Sequence, residues 1–207
     1  MITEHTVETL QDFERQVAER FNAGQIRAPV HLAGGNEAQL IEVFKQVDRN
    51  DWVFGAWRMH YHCLLKGVPP DELMAEIMGG RSIALSFPSH RILCSAIVGG
   101  ILPIALGAAL SIKRRGGKER VWAFCGDMTA TTGAFHECLS YAEGHDLPAT
   151  FVIEYNGISV CTPTEEVWGP FVEVGGPSHG RVSCSNVIEY SYKLPWPHSG
   201  AGKRVEF

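Results

Sequence analysis

Two apolar runs in this 207-residue chain stop at side chains that carry hard oxygens. Val121 to Cys125 leads into Gly126 and Asp127, and Ala149 to Ile153 leads into Glu154, Tyr155, Asn156 and Gly157. Asp127 offers a carboxylate, Asn156 an amide oxygen, and the backbone just beyond it a carbonyl. Three such oxygens are too few to cage a dehydrated ion. They suit Mg²⁺, which keeps several waters and takes its other oxygens from a diphosphate at about 2.0–2.1 Å.

The elements that must bring these groups together are readable from spacing. Each apolar run has the length of a buried strand. Between them Phe135, Leu139 and Ala142 recur at three- and four-residue intervals, which predicts a helix from about Thr132 to Glu143, and Pro148 forces a break before the second strand. Strand, helix and strand of this length form one right-handed crossover. That unit puts Asp127 and Asn156 side by side at one edge of a parallel sheet, where open α/β sheets bind ligands. A helix amino terminus between them offers free N–H groups to a phosphate. Taken singly, Gly126-Asp127 and Asn156-Gly157 are also ordinary strand-ending turns.

Taken together, Gly126-Asp127, Gly133 and Glu137 behind it, Leu147-Pro148, and Glu154-x-Asn156 about thirty residues on resemble the thiamin diphosphate motif. The match is most similar to the alpha subunits of 2-oxo acid dehydrogenase first components, the pyruvate, branched-chain and acetoin group. The resemblance implies an α/β thiamin diphosphate-binding fold, a central parallel sheet with helices on both faces. It implies one domain over 1–207, with 165–207 a divergent loop and last strand. The implied cofactors are thiamin diphosphate and Mg²⁺, with Gly126, Asp127, Met128, Thr129 and Asn156 at the diphosphate. Asp127, Asn156 and the Ile158 carbonyl would hold the metal. Met128 stands where the family has glycine, and a side chain there could crowd the diphosphate.

Further segments carry the same resemblance. Trp57-Arg58-Met59-His60 stands where the family has Tyr-Arg-x-His. This implies that Arg58, a permanently charged planar donor fork, binds the diphosphate. Trp57 replaces the tyrosine, so one phosphate hydrogen bond is lost or made by the indole N–H. His60 is the candidate catalytic residue, on the substrate or phosphate side. His60 and His62 face one way if the segment is extended, as a metal pair would, but a third ligand is missing. His31 to Ala38 is similar to a His-x-x-x-Gly-Gln-Glu-Ala opening, with Asn36 in the glutamine's place. Ser95 to Gly100 and Pro103 resemble the segment whose backbone holds the aminopyrimidine ring, through Ala96 and Val98; by itself this is a small-residue turn into a buried helix. After Gly80 the chain departs from the family: Arg81-Ser82-Ile83-Ala84 replaces a glycine-rich loop that ends in Ser-Met-His and presents the lipoyl arm. His198, in a Pro-His-Ser-Gly stretch, is a candidate phosphate contact, with an exposed tail histidine the plainer expectation.

Composition bounds the rest. A chain 45% hydrophobic and 20% charged is an ordinary domain with one core, and a net charge of −5 gives no general attraction to nucleic acid or acidic membranes. Six cysteines without metal spacing, and no signal peptide, point to thiols in a reducing cytoplasm. Ile92 to Ile112 carries no charge and formally has the length of a membrane span. Gly99, Gly100 and Pro103 break its front half, so a buried helix from about Leu102 is expected. Val7 to Phe21 reads as an amphipathic packing helix. In the family the activating glutamate beside the pyrimidine comes from a different domain, and no stretch here resembles it. The chain is therefore expected to supply half an active site and to need a beta-type subunit, in a heterotetramer of two alpha and two beta chains. The expected substrate is a small 2-oxo acid or ketose. Decarboxylation with acyl or acyloin transfer is favoured over a lipoyl-linked dehydrogenase or a split transketolase-type enzyme. Met128 keeps open a non-catalytic scaffold.

Overall fold

The structure, a computed structural model, describes residues 5–169 and 186–203. Five strands, β1 (Trp52–Gly55), β2 (Ser86–Phe87), β3 (Ile92–Cys94), β4 (Val121–Gly126) and β5 (Ala149–Tyr155), precede a small hairpin of β6 (Ile158–Ser159) and β7 (Thr162–Pro163). With β8 (Val187–Ser191), the first five make a six-stranded sheet in the order β2-β3-β1-β4-β5-β8. All neighbours pair in parallel except β2, an antiparallel edge strand.

Side chains on the central strands alternate between two cores. Val53, Trp122, Phe124 and Val152 pack with α1 (Val7–Asn22), α2 (Glu37–Phe44), α3 (His60–Leu65) and α4 (Pro70–Met78). Val121, Ala123, Cys125, Phe151 and Ile153 pack on the opposite face, with α5 (Ile101–Arg114) and α7 (Gly133–Gly144). Strands buried on both faces must be apolar throughout, which is why β4 and β5 read as continuous runs. The indole N–H of Trp122 is satisfied by Asp51 at 2.9 Å.

α1 starts at a Thr6–Thr9 capping box and buries Leu10, Phe13, Val17 and Phe21, the expected face. α5 buries Ile101, Leu102, Ala105, Ala109 and Ile112, and no helix among the described residues is long and apolar enough to cross a membrane. Between β4 and β5, the expected single helix is preceded by a short turn of helix, α6 (Asp127–Ala130), which starts directly after Gly126. The hydroxyls of Thr131 and Thr132 bond the Met128 and Thr129 carbonyls, and Thr132 then caps α7 through the Phe135 N–H.

Other expectations are corrected. His60 and His62 stand on α3, not on an extended segment, so at about 3.6 residues per turn they point to nearly opposite sides. Residues Glu165 to Trp168 belong to α8 (Thr164–Trp168) rather than a loop, and 170–185 lie outside the described residues.

Candidate functional site

Past the carboxyl ends of β1, β4 and β5 lies a cleft of about 400 Å³. Trp57, Arg58, Val98, Gly126, Asp127, Met128, Thr129, Asn156 and Ile158 line it together, whereas Ala96 and His60 do not.

β4 and β5 are paired so that Gly126 lies opposite Glu154, which puts Asp127 and Asn156 next to each other past the strand ends. The link is direct: the Gly157 N–H donates to Asp127 Oδ2 at 2.9 Å, and the Met128 N–H to Oδ1 at 3.0 Å. Asp127 is only 4% exposed. Burial raises its pKa, opposed by these backbone donors and by the Thr164 hydroxyl. Asn156 Oδ1 accepts the Ile158 N–H at 3.0 Å while its Nδ2 donates to the Tyr192 hydroxyl at 3.2 Å, which fixes which end of the amide is oxygen. Asn156 Oδ1 keeps a second lone pair. Among the described residues no group of three or more His, Cys, Asp or Glu could hold a metal ion. An ion here would rely on one carboxylate, an amide oxygen, a backbone carbonyl and the oxygens of its ligand, a donor set that fits Mg²⁺.

The cation of the cleft is Arg58. Its Nε donates to the Leu32 carbonyl at 2.9 Å and one Nη to the His198 carbonyl at 3.3 Å. The same His198 carbonyl accepts His31 Nδ1 at 2.6 Å. His31 packs its ring on Trp57 and His198, at 5.4 and 4.6 Å between centroids. Burial lowers the His31 pKa to about 4, so at neutral pH it adds no charge beside Arg58. The loop carrying His31 is locked to the 193–198 segment at Gly35, whose φ of +83° only glycine adopts freely. His198 is thus no free tail: it lines the cleft, held by residues far behind it in the chain.

His60 is corrected more sharply. Its side chain is fully buried, with Nδ1 2.9 Å from Glu14 and Nε2 2.8 Å from Ser82, and it does not reach the cleft. It cannot touch a ligand held by Asp127 and Arg58. His62 is buried against the Phe124 ring at 4.5 Å, with Nε2 3.6 Å from Glu154 and no hydrogen bond to either ring nitrogen, and burial drops its pKa to about 3. Ala96 is exposed on the loop before α5, outside the lining.

Sequence reasoning missed a polar floor. The Glu154 carboxyl accepts the Asn36 amide at 3.0 Å and the Tyr190 hydroxyl, and burial pushes its pKa up to about 7. Asn36, Glu154 and Tyr192 all line the cleft. A carboxylate inside an otherwise apolar strand run was the available signal. Val98, Ile158 and Val160, on the cleft's lining, are large apolar side chains left exposed, as are Ile97 beside Val98 and Trp168 against Met128. Val160, at φ 58°, turns the hairpin of β6 and β7 in a conformation that β-branched residues rarely take. The Trp168 indole N–H points at the Met128 sulfur, 3.0 Å away.

Comparison with known proteins gives the following. The family model "Dehydrogenase E1 component" matches residues 5–168. The alpha subunit of acetoin:2,6-dichlorophenolindophenol oxidoreductase from Cupriavidus necator is 35% identical over 164 residues, covering 74% of this chain and 49% of that protein. The chloroplastic pyruvate dehydrogenase E1 component subunit alpha-3 of Oryza sativa subsp. japonica is 33% identical over 191 residues, covering 81% of this chain and 44% of that protein. The chain therefore spans about half the length of the curated relatives it matches. An X-ray structure from Mycobacterium smegmatis, described as a thiamin diphosphate-dependent enzyme, aligns with TM-score 0.40 at 18% identity, over 63% of this chain and 22% of that one.

Proposed function

The chain belongs to the dehydrogenase E1 component family, and on that premise we propose that it is the diphosphate-binding half of a two-component thiamin diphosphate enzyme. This enzyme decarboxylates a 2-oxo acid and passes on the acyl unit. The observation that carries the reading is the Gly157-to-Asp127 hydrogen bond of 2.9 Å, which joins two strand ends around one set of oxygens. Asp127, Asn156 and the Ile158 carbonyl would hold Mg²⁺, and Arg58, on the same cleft, would hold the diphosphate. When bound, thiamin diphosphate supplies the nucleophilic carbon that adds to the keto group and takes the electron pair released with carbon dioxide. This chain's residues anchor and orient the tail. Arg58 would neutralise its charge, the buried Asp127 would hold the metal, and Trp57, Val98 and Met128 would keep water from one wall.

The activating glutamate would come from a beta-type subunit, in a heterotetramer of two alpha and two beta chains. The exposed apolar side chains on the cleft's lining, Val98 and Ile158 among them, support a second chain closing over it.

The test is calorimetry of the copurified complex with thiamin diphosphate, with and without Mg²⁺, for wild type and Asp127→Ala. Even an outer-shell partner of a metal ligand is worth about 10–100-fold in metal affinity, so losing the ligand itself should cost at least that. Metal-dependent uptake that survives in the variant would overturn the assignment. Carbon dioxide release from pyruvate, with dihydrolipoamide or an aldehyde as acceptor, then identifies where the acyl unit goes.

A further inference from the structure

Glu14, His60 and Ser82 form a buried polar cluster away from the cleft, each 0–1% exposed. A buried carboxylate is costly unless every oxygen is met. Glu14 is met fully: His60 Nδ1 lies 3.1 Å from Oε1 and 2.9 Å from Oε2, and the Ala33 N–H donates to Oε1. On the far side of the imidazole, Nε2 lies 2.8 Å from the Ser82 hydroxyl. The cluster joins α1, α3, the turn after α4 and the loop that follows His31.

Its connection to the cleft runs through one peptide group. The N–H of Ala33 and the C=O of Leu32 belong to the same planar trans amide and point in opposite directions. The N–H goes to Glu14, while the C=O accepts Arg58 Nε at 2.9 Å. A carboxylate on the N–H end polarises the amide and makes its carbonyl a stronger acceptor. Arg58 is a long side chain with much rotamer freedom to lose, so what holds its fork matters to any anion it grips.

We infer that Glu14 and His60 are positioning residues for Arg58, acting through the Leu32–Ala33 peptide, with Ser82 setting the imidazole. The inference rests on the reading of Arg58 as the diphosphate's cation. It accounts for two features that touch no ligand: the histidine two positions after Arg58, and the short Arg81–Ala84 turn, which delivers Ser82 to that histidine.

The experiment is a double-mutant cycle on the full chain, with inorganic pyrophosphate and Mg²⁺ as probe and Trp57 fluorescence as readout. Arg58→Ala should weaken binding strongly. Glu14→Gln, which keeps shape and removes charge, should weaken it about 10-fold. In the Arg58→Ala background, Glu14→Gln should cause no further loss, because the two act as one unit. A purely structural Glu14 would lower affinity by the same factor in both backgrounds, and that result would overturn the inference, as would no effect in either. Unchanged binding in Arg58→Ala would overturn the diphosphate reading of Arg58 and this inference with it. Should Glu14→Gln not fold, Ser82→Ala runs the same cycle, with a smaller loss expected in wild type and none without Arg58.

Discussion

Replacing Gly35 with alanine should unlock the cleft. A Cβ at Gly35 would lie 2.1 Å from the Lys193 carbonyl oxygen, 3.1 Å from its carbon and 3.4 Å from Pro195 Cδ. The nearest atom is backbone, so no rotamer change relieves the overlap; the 193–195 segment must move. Gly24 supplies the reference, with φ +70° and nothing within 4 Å of its Cβ. Gly24→Ala should therefore cost only the left-handed conformation, about 1–2 kcal/mol. Gly35→Ala, at φ +83°, adds displacement of packed chain, about 1–3 kcal/mol more, for a total near 2–5 kcal/mol. That is a large share of the ~5–15 kcal/mol that holds a domain together. Urea titrations followed by tryptophan fluorescence measure both variants, with Trp196 and Trp57 lining the cleft as reporters. Because His198 lies just beyond the displaced segment and one of its groups orients Arg58, pyrophosphate binding should fall as well. Equal stability of the two variants, to within ~0.5 kcal/mol, would refute the claim that this contact locks the loop.

Two more perturbations address other parts of the molecule. His62 titrates near 3 in the folded chain against 6.5 ordinarily, so the unfolded chain binds more protons between those values. The stability its neutral ring carries is whole above pH 6.5 and is lost as pH falls toward 3, on the order of 3 kcal/mol by pH 4.5 at ~1.36 kcal/mol per unit. His62→Leu should flatten that acid loss, and urea midpoints at pH 7 and pH 4.5 that drop equally in both proteins would contradict it. Val160→Asn should raise stability by about 1 kcal/mol, since asparagine tolerates a left-handed φ of 58° better than a β-branched residue. A lower melting temperature in the variant would count against strain at that turn.

The architecture was legible where burial imposes a pattern. β4 and β5 are covered on both faces, so their apolar runs mark them, and Phe135, Leu139 and Ala142 mark the helix between. Asp127 and Asn156 were readable as neighbours because the crossover joining them is local in sequence. His60 was misplaced because α3 spans only His60–Leu65, too short to display a helical period, so the direction of its ring had no signature. The floor of the cleft was hidden for another reason. Glu154 meets Asn36 across 118 residues and Arg58 meets His198 across 140, and no local spacing encodes such pairings. The fate of His198 followed from that: a histidine after two prolines looks like a loose end until the loop it closes on is known.

That closure has a consequence for how the protein comes into being. The Gly200 N–H bonds the Val30 carbonyl at 2.9 Å, His31 pairs with Gly200, and the carbonyl that steadies Arg58 belongs to His198. A nascent polypeptide leaving the ribosome can assemble β1, β3, β4 and β5 early. Arg58 has no finished support until residues 198–200 emerge and dock against the loop made first. A translation product truncated before residue 198 would therefore possess the sheet and lack the clasp around Arg58.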